Sequence, residues 1–416
     1  MISDKRAVAS WCLYDWANSA FPAVITTFVF STYFTQAVAP DPVTGTALWG
    51  QALAVAGFII AILSPILGSV ADHTGRQKLW LALFSILTAG AIAALWFVGP
   101  SPDSVPLALI GIALATIGFE VAGVFYNALL PSVAPPSHIG RVSGWAWGLG
   151  YVGGIVCLTL ILVLFVQTET PLFGLDKASA EHVRAAAPFS AAWYVVFALP
   201  LFAFVREPTV AALPLPQAVR KGLSDLGHMA ATLRQQRTIF WFLFAHMIYA
   251  DGLTTLFAFG GVFAAGTFGM AIDEVILFGI ALNITAGAGA FAFAWIDDWI
   301  GPRRTIAIGL AALIVVGGAL LLVEAKTSFW ALGLLLGAFF GPVQAASRSL
   351  AARIARPEHR AQIFGLFALS GRVTAFVGPA VLAWTTQAAQ SQRVGMATIL
   401  VFLAIGLALL WRKVPD

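Results

Sequence analysis

The chain has 416 residues, of which 60% are hydrophobic and only 10% are charged, and its formal net charge is +4. A soluble domain carries roughly a quarter charged residues, so this composition excludes a globular protein with a water-exposed surface. The basic residues are spread over short loops and do not gather on one face, which argues against nucleic-acid binding.

The first six residues are polar and mildly basic, and an apolar stretch follows directly, without a small-residue cleavage site. We therefore expect a retained first membrane span and not a removed signal peptide. A spanning helix needs roughly 20 mostly apolar residues, and twelve stretches meet this requirement. They are too long and too uniformly apolar for the strands of a membrane barrel. The predicted spans 1–12 are, in order, 8–36, 47–71, 79–98, 105–130, 143–167, 190–205, 238–266, 272–296, 304–323, 328–350, 362–387 and 394–411.

The loops between these spans differ in their content of Lys and Arg. Of the 23 basic residues, seventeen lie on the side that holds both termini, four lie on the opposite side, and Arg348 and Arg372 lie inside spans. The positive-inside rule therefore places both termini in the cytoplasm. We expect a multi-pass protein of the cytoplasmic (inner) membrane, surrounded by lipid.

The two cysteines, Cys12 and Cys157, both lie within apolar runs. Free cysteine in such a setting behaves as a small hydrophobic residue. We therefore predict no disulfide, no metal site and no cofactor. The sequence also lacks a nucleotide-binding loop, which argues against direct drive by ATP.

Two sequence motifs occur twice. Residues 68–78 read GSVADHTGRQK after span 2, and residues 294–304 read AWIDDWIGPRR after span 8. Residues 136–144 (PSHIGRVSG) and 357–365 (PEHRAQIFG) form a second pair at nearly the same separation. Two independent matches predict a duplication of six-helix halves.

The segment 206–237 separates six predicted spans from the next six. It holds three prolines, followed by an amphipathic stretch from Ala218 to Arg237. We expect this stretch to lie along the cytoplasmic membrane surface. The predicted parts are an N-terminal six-helix bundle (1–205), a cytoplasmic linker with an amphipathic helix (206–237) and a C-terminal six-helix bundle (238–416).

The first motif has the features of a gate. A short turn between antiparallel helices needs glycine, and Asp72 can accept hydrogen bonds from the N-terminus of a neighbouring helix. The basic residues anchor this end at the lipid headgroups and can pair across the two halves to latch one face shut. Anchoring alone would explain Arg and Lys, but it would not explain the Gly-x-x-x-Asp-x-x-Gly pattern. We therefore predict gating roles for Gly68, Asp72, Gly75, Arg76, Lys78, Asp298, Gly301, Arg303, Arg304 and Arg348.

The segment 68–78 resembles the signature loop of the major facilitator superfamily, whose members are transporters of twelve helices in two pseudo-symmetric bundles. The span count, the loop position and the repeat extend this resemblance over essentially the whole chain. It implies an all-α membrane protein with the major facilitator fold, and a transporter rather than an enzyme. The second motif departs from the first, because Ala294 stands where the first has Gly68.

The opening of span 1, SWCLYDWANSAF at residues 10–21, resembles more narrowly the vacuole-effluxer-like branch, which is autophagy-related in fungi and has many bacterial relatives. This branch implies solute export, of amino acids in the fungal case. Span 5 has Gly150-Tyr151 where the drug-antiporter pattern has Gly-Pro, which weakens a drug-efflux function. The other stretches that carry the resemblance are Tyr126–Pro131, Gly148–Gly154, Ser347–Ser349, Phe364–Gly365, Gly371–Arg372 and Gly378–Pro379.

Charged side chains inside the spans are the candidate site residues, because a charge in lipid costs several kcal/mol unless it is paired or wetted. At 1.5 Å per residue, Glu120, Asp251 and Arg372 lie roughly 14–21 Å from a membrane edge. Spans 3, 6, 9 and 12 hold no charge in their interiors, and the family resemblance implies that these four face lipid while spans 1, 4, 7 and 10 line a cavity. The predicted central cavity contains Asp15, Asn18, Glu120, Asp251, Arg372, Trp147, Tyr151, Asn283 and Gln344.

Several roles are open for these groups. Arg372 can bind a substrate carboxylate or phosphate, whereas Glu120 or Asp251 can bind a substrate amine or carry a coupling proton. The alternative is a structural salt bridge between Arg372 and one acid. Asp15, near the cytoplasmic end, suits gate pairing as well as substrate contact. Two more assignments are expected: His246 packs between helices, and Trp147 and its neighbour Trp145 are candidates to line the cavity.

The predicted function is secondary active transport of a small polar solute by alternating access, with proton coupling as an option. Acids together with Arg372 suit a zwitterion, so an amino acid or small peptide moving in the export direction is favoured, and we expect a monomer. An organic anion or a siderophore is the alternative solute. An intramembrane lipid-processing enzyme would need a reactive cluster, and the nearest one, Asp297-Asp298, sits in the gating motif. A receptor or scaffold would predict a folded domain outside the membrane.

Overall fold

The computed structural model describes residues 4–170, 172–207 and 212–415. Parts of the predicted N-terminus (1–3), external loop (171), linker (208–211) and C-terminus (416) lie outside the described residues. Within the described chain, twelve helices are long and apolar enough to cross a membrane, which confirms the predicted all-α class and span count. Spans 1–12 are Lys5–Val38, Pro42–Thr74, Gln77–Phe97, Pro102–Val133, Pro136–Val166, Glu181–Phe204, Arg237–Phe268, Glu274–Ile300, Pro302–Leu322, Lys326–Ile354, Pro357–Ala389 and Gln392–Lys413.

An even number of spans places both ends of the chain on one side, which we call the terminal face; the other side is the distal face. Most of the connections are short, and side chains or glycines cap several helix ends. The Asp41 carboxylate accepts from the backbone N–H of Val43 and of Thr44, both at 3.0 Å, and so caps span 2. Span 2 ends at Gly75, with φ 61°, and Gly301 turns between spans 8 and 9 with φ 90°. Both glycines have a positive φ that disfavours other residues.

Spans 1–6 pack mainly on one another, as do spans 7–12, and the two sets meet where span 2 crosses span 11 and span 5 crosses span 8. Glycine permits these close crossings. A Cβ at Gly365 would overlap the carbonyl oxygen of Ser64, and a Cβ at Gly144 would lie 2.6 Å from the carbonyl oxygen of Ala290. The two crossings occupy equivalent positions of the repeat, so the second repeated motif marks where the helices touch.

Span 11 is discontinuous. Its first helical segment is Arg360–Arg372, a turn follows, and its second segment is Val377–Ala389. The break leaves the N–H groups of the second segment without partners inside the helix. The Asp251 carboxylate accepts from the N–H of Gly378, at 3.1 and 3.2 Å, and so caps this segment. The carboxylate therefore stabilises an interruption in the middle of the membrane.

The linker contains a helix, Leu215–Thr232, that rests on the terminal end of span 2. The Ser69 hydroxyl donates to the carbonyl of Gly222 at 2.9 Å, and the His73 ring pairs with Asp225 at 2.7 Å. These contacts hold the linker helix against the end of span 2 at the terminal face, while its position along the membrane surface stays a prediction. The exact division of the chain at 206–237 stays a prediction.

Both cysteines are buried, and neither forms a disulfide. Cys12 is 3% exposed and lies against the carbonyl of Val142, while Cys157 is fully buried. The sequence prediction of two small packing residues is confirmed.

Candidate functional site

A cavity of about 780 Å³ lies between the first six and the last six spans. Of the nine residues predicted to line it, seven do so, and Arg372 and Asp251 do not. The lining holds two carboxylates and one guanidinium among mostly apolar and small polar side chains, which is the usual composition of a small-molecule site. The seven predicted residues are Asp15, Asn18, Glu120, Trp147, Tyr151, Asn283 and Gln344.

Arg348 forms the floor of this cavity on the terminal side. Its side chain projects from span 10 into the first six spans and is only 3% exposed. Its Nη1 donates to Asp15 at 2.8 Å, its Nε donates to the Ser143 hydroxyl at 2.9 Å, and its Nη2 donates to the Ser143 carbonyl at 2.7 Å. The guanidinium therefore has an anionic partner and two further acceptors, the arrangement that a buried charge requires.

Aromatic rings surround the same guanidinium. Its carbon lies 4.9 Å from the ring centre of Trp11, 5.4 Å from that of Trp147 and 5.8 Å from that of Tyr126. All three distances are within the range of cation–π attraction. We call these three rings the aromatic box; they stand on spans 1, 4 and 5.

Sequence reasoning missed three members of this cluster. Ser143 acts partly through its backbone carbonyl, which no residue type marks. Trp11 and Tyr126 occur in the stretches that carry the family resemblance, yet their contact with Arg348 depends on three-dimensional packing. Tyr126 donates to the carbonyl of Trp11 at 3.0 Å, and the two rings stack at 4.4 Å, so each fixes the other.

Glu120 and Arg372 form an ion pair that joins span 4 to span 11. Glu120 lines the cavity, whereas Arg372 lies behind it, at the end of the first segment of span 11. Both side chains are only partly buried, 21% exposed for Glu120 and 37% for Arg372. The pair therefore stands beside the cavity, and of its two members Glu120 lines the cavity although Arg372 has the larger exposed fraction.

The prediction that Asp251 lines the cavity is wrong. Its side chain is 2% exposed and is bound to the N–H of Gly378 at the break in span 11. The sequence places an acid at mid-membrane depth but does not show that span 11 is interrupted. The unpaired N–H groups at that interruption supply the partner which the buried carboxylate needs.

The structure also tests the predictions made for His246 and for the tryptophans Trp145 and Trp147. His246 stacks on Phe367 at 4.1 Å and is hydrogen-bonded with Ser370 at 2.7 Å, so it is the predicted packing histidine, although it also borders the cavity. Trp147 lines the cavity, whereas Trp145 turns away and packs edge-to-face on Trp295.

The two repeated aspartates cap helices across the boundary between the two sets of spans. Asp72 accepts from the N–H of Ala361 at 3.0 Å and of Gln362 at 2.8 Å, at the start of span 11. This contact agrees with the prediction that Asp72 accepts from the N-terminus of a neighbouring helix. Asp298 accepts in the same way from two N–H groups at the start of span 5, those of Gly140 (2.9 Å) and Arg141 (3.2 Å).

The basic residues of the motif behave differently from the aspartates. The Lys78 ammonium donates to the carbonyls of Phe202 (2.7 Å) and Val205 (2.8 Å) at the end of span 6, so the prediction that it pairs across the halves is wrong. Arg303 donates to the carbonyl of Trp411 at the end of span 12. The last carbonyls of a helix lack intrahelical partners, and a nearby cation satisfies them.

Other basic residues at the terminal face follow the predicted pattern more closely. Arg141 of span 5 pairs with Asp298 of span 8 at 3.5 Å, and Arg360 of span 11 donates to the Ser132 hydroxyl of span 4 at 3.2 Å. Arg76 and Arg304 are exposed at this face.

The contacts between the two sets of spans concentrate toward the terminal face. Within the described part of the chain, their hydrogen bonds lie at the level of Arg348 or nearer that face, apart from two at mid-height: the Glu120–Arg372 pair and a bond from Tyr151 to Gln344 at 3.2 Å. The cavity extends toward the distal face as far as Phe28. It is therefore closed on the terminal side.

Twelve spans around a central cavity that is closed at one face are the arrangement of a membrane transporter. The family model described as Major Facilitator Superfamily matches residues 2–158, and the model described as Vacuole effluxer Atg22 like matches residues 137–414. The chain belongs to the vacuole effluxer Atg22-like family of that superfamily. Its members are secondary transporters of small solutes and not enzymes.

Known proteins resemble this chain in sequence or in fold. An uncharacterised transporter of the superfamily, YxiO of Bacillus subtilis, is 28% identical over 96% of this chain and 93% of its own length. Autophagy-related protein 22 of Cryptococcus neoformans is 23% identical over 65% of this chain and 50% of its own length. Among solved structures, the human organic anion transporter MFSD10 aligns with a TM-score of 0.76 at 15% identity, covering 99% of this chain and all of that one.

Proposed function

We propose that the protein exports a small zwitterionic solute, an amino acid or small peptide, across the cytoplasmic membrane by alternating access. The observation that carries the proposal is the cavity between the two sets of spans, which contains charged groups and is closed on one side by the Arg348–Asp15 pair. The excess of Lys and Arg at the terminal face supports a cytoplasmic position for that face. In this orientation the cavity faces away from the cytoplasm, ready to release solute.

Opening the terminal face requires three sets of contacts to break together. They are the Arg348–Asp15 pair, the cap of span 11 by Asp72 and the cap of span 5 by Asp298. Each contact joins the first six spans to the last six. Rocking of one set against the other breaks these bonds at the terminal face, and solute then enters from the cytoplasm.

The solute meets complementary groups at mid-height. Its amine can bind Glu120, which lines the cavity, and its carboxylate can bind Arg372, the present partner of Glu120. The Trp147 indole N–H has no acceptor within the described part of the chain and can donate to the same carboxylate. A zwitterion would then replace the Glu120–Arg372 pair without leaving a charge uncompensated.

Glu120 is also the group we assign to a coupling proton. When Arg372 binds a solute whose amine does not reach Glu120, Glu120 loses its cation, and a proton can neutralise it.

The test is solute movement in proteoliposomes. Radiolabelled amino acids, dipeptides and organic anions are offered from each side, with and without an imposed pH gradient. We expect a zwitterion to move, and we expect Glu120→Gln and Arg372→Ala to reduce its transport at least about tenfold, as loss of a charged partner should. Glu324→Ala, which removes an exposed charge between spans 9 and 10, should transport normally.

Transport of organic anions that lack an amine, unaffected by Glu120→Gln, would favour the alternative solute class. Normal transport by both charge variants would remove Glu120 and Arg372 from the mechanism.

A further inference from the structure

The surroundings of Arg348 form a complete binding site for an organic cation. Asp15 supplies the negative charge, Ser143 supplies two acceptors, and the aromatic box supplies three ring faces within 6 Å of the guanidinium carbon. Trp147, Tyr126 and Asp15 also line the central cavity, so a solute in the cavity can reach this site.

The residues of this site belong to spans 1–6, whereas the Arg348 guanidinium that fills it belongs to spans 7–12. Asp15, Ser143 and the aromatic box belong to spans 1, 4 and 5, whereas Arg348 belongs to span 10. Under the proposed function, opening the terminal face withdraws span 10 and takes the guanidinium out of the box. Asp15 then remains beside the aromatic box without its cation, and a carboxylate that loses its buried partner is destabilised.

We propose that the aromatic box and Asp15 bind the cationic group of the transported solute when the terminal face is open. Arg348 is the tethered cation that replaces this group when the face closes. The inference rests on the proposed alternation between faces, and it narrows the solute to one bearing an ammonium or a guanidinium. Both groups are cations with several N–H donors, which the carboxylate and the two Ser143 acceptors can receive.

The site can be tested without knowledge of the solute. Arg348→Ala removes the tethered cation and leaves the site empty in the folded protein. Methylguanidinium chloride is the probe and sodium chloride is the matched salt, each titrated to 50 mM against purified protein in a thermal-shift assay. We expect methylguanidinium to raise the melting temperature of Arg348→Ala saturably, by about 2 °C or more at ten times its Kd, because a ligand stabilises the state that binds it.

Three controls define the site. The wild-type protein, whose box Arg348 fills in the closed state, should show no saturable rise over the concentration range that saturates Arg348→Ala, because the probe must first displace the tethered cation. The double variant Asp15→Asn/Arg348→Ala should lose the response, because the amide keeps the shape but removes the charge. Arg353→Ala, which removes an arginine five residues further on that pairs with Asp298 at 3.1 Å and does not touch the box, should show no response either.

A response of equal size in the Asp15→Asn background, or none in Arg348→Ala, would overturn the proposal. If Arg348→Ala does not fold, Arg348→Gln takes its place: its neutral amide leaves Asp15 without a cation, and the same saturable rise is expected. These binding results do not depend on transport, so a failure here is distinct from a failure of the proposed solute export.

Discussion

Replacing Asp72 by alanine should weaken closure of the terminal face. The carboxylate accepts two backbone hydrogen bonds at the start of span 11, at 2.8 and 3.0 Å, and its own helix belongs to the opposite set of spans. Loss of a capping side chain costs about 1 kcal/mol, and loss of a negative charge near a helix N-terminus costs about a further 0.5 kcal/mol. These contacts exist only when the face is closed, so about 1.5 kcal/mol shifts the closed-to-open ratio roughly tenfold.

Hydrogen–deuterium exchange in lipid nanodiscs measures this shift directly. The amides of Ala361 and Gln362 should exchange about tenfold faster in Asp72→Ala than in the wild type, because they lose their acceptor and are exposed more often. Asp298→Ala should produce the same change at residues 139–141, the equivalent helix start. Glu324→Ala removes one exposed negative charge far from either cap and should leave both segments unchanged.

Unchanged exchange at Ala361 and Gln362 in Asp72→Ala, in a variant that melts at the wild-type temperature, would refute the reasoning. It would mean that the caps form without contributing to closure.

Two further predictions concern the framework. Gly365→Val should keep the terminal face from closing, because any Cβ at this position overlaps the Ser64 carbonyl. Crosslinking between a cysteine introduced in span 2 and one in span 11 should then fall several-fold. The control Gly50→Val, whose Cβ meets no atom within 4 Å, should crosslink normally. Lys78→Met should lower the melting temperature, because the carbonyls at the end of span 6 lose a charged donor worth about 2 kcal/mol. Lys78→Arg should restore most of the lost melting temperature. An unchanged melting temperature in Lys78→Met would show that water replaces the ammonium.

The residues that sequence reasoning placed correctly are those whose partners are set by local pattern. The twelve spans follow from the length of the apolar stretches alone. In lipid every backbone N–H and C=O must be hydrogen-bonded within the protein, and an α-helix achieves this within one segment. The partner of Asp72 could be predicted because this carboxylate stands beside a tight turn that is repeated in both halves. The unpaired N–H donors within its reach are mainly those at the N-terminus of a neighbouring helix. Gly75 and Gly301 follow from the same turn geometry.

The residues that were misplaced depend on distant packing. Asp251 and Glu120 look alike in the sequence, each an acid in the middle of an apolar span. Only the break in span 11, which brings the N–H of Gly378 to Asp251, separates the two. Lys78 was expected to reach across the halves, yet the end of span 6 offers it two carbonyls nearer by. In both cases the charged side chain binds a backbone group that has no partner within its own helix. Every residue has the same backbone groups, so the sequence does not show which of them lack a partner.

The position of Arg348 bears on how solute binding could drive the conformational change. A ligand shifts an equilibrium only by the difference in its affinity for the two states. A site that faces solute equally in both states supplies no such difference. The aromatic box is occupied by Arg348 whenever the terminal face is closed, so a solute cation that binds there can bind only the open state. Competition between the tethered Arg348 cation and the cation of the solute would then couple solute binding directly to opening of the terminal face.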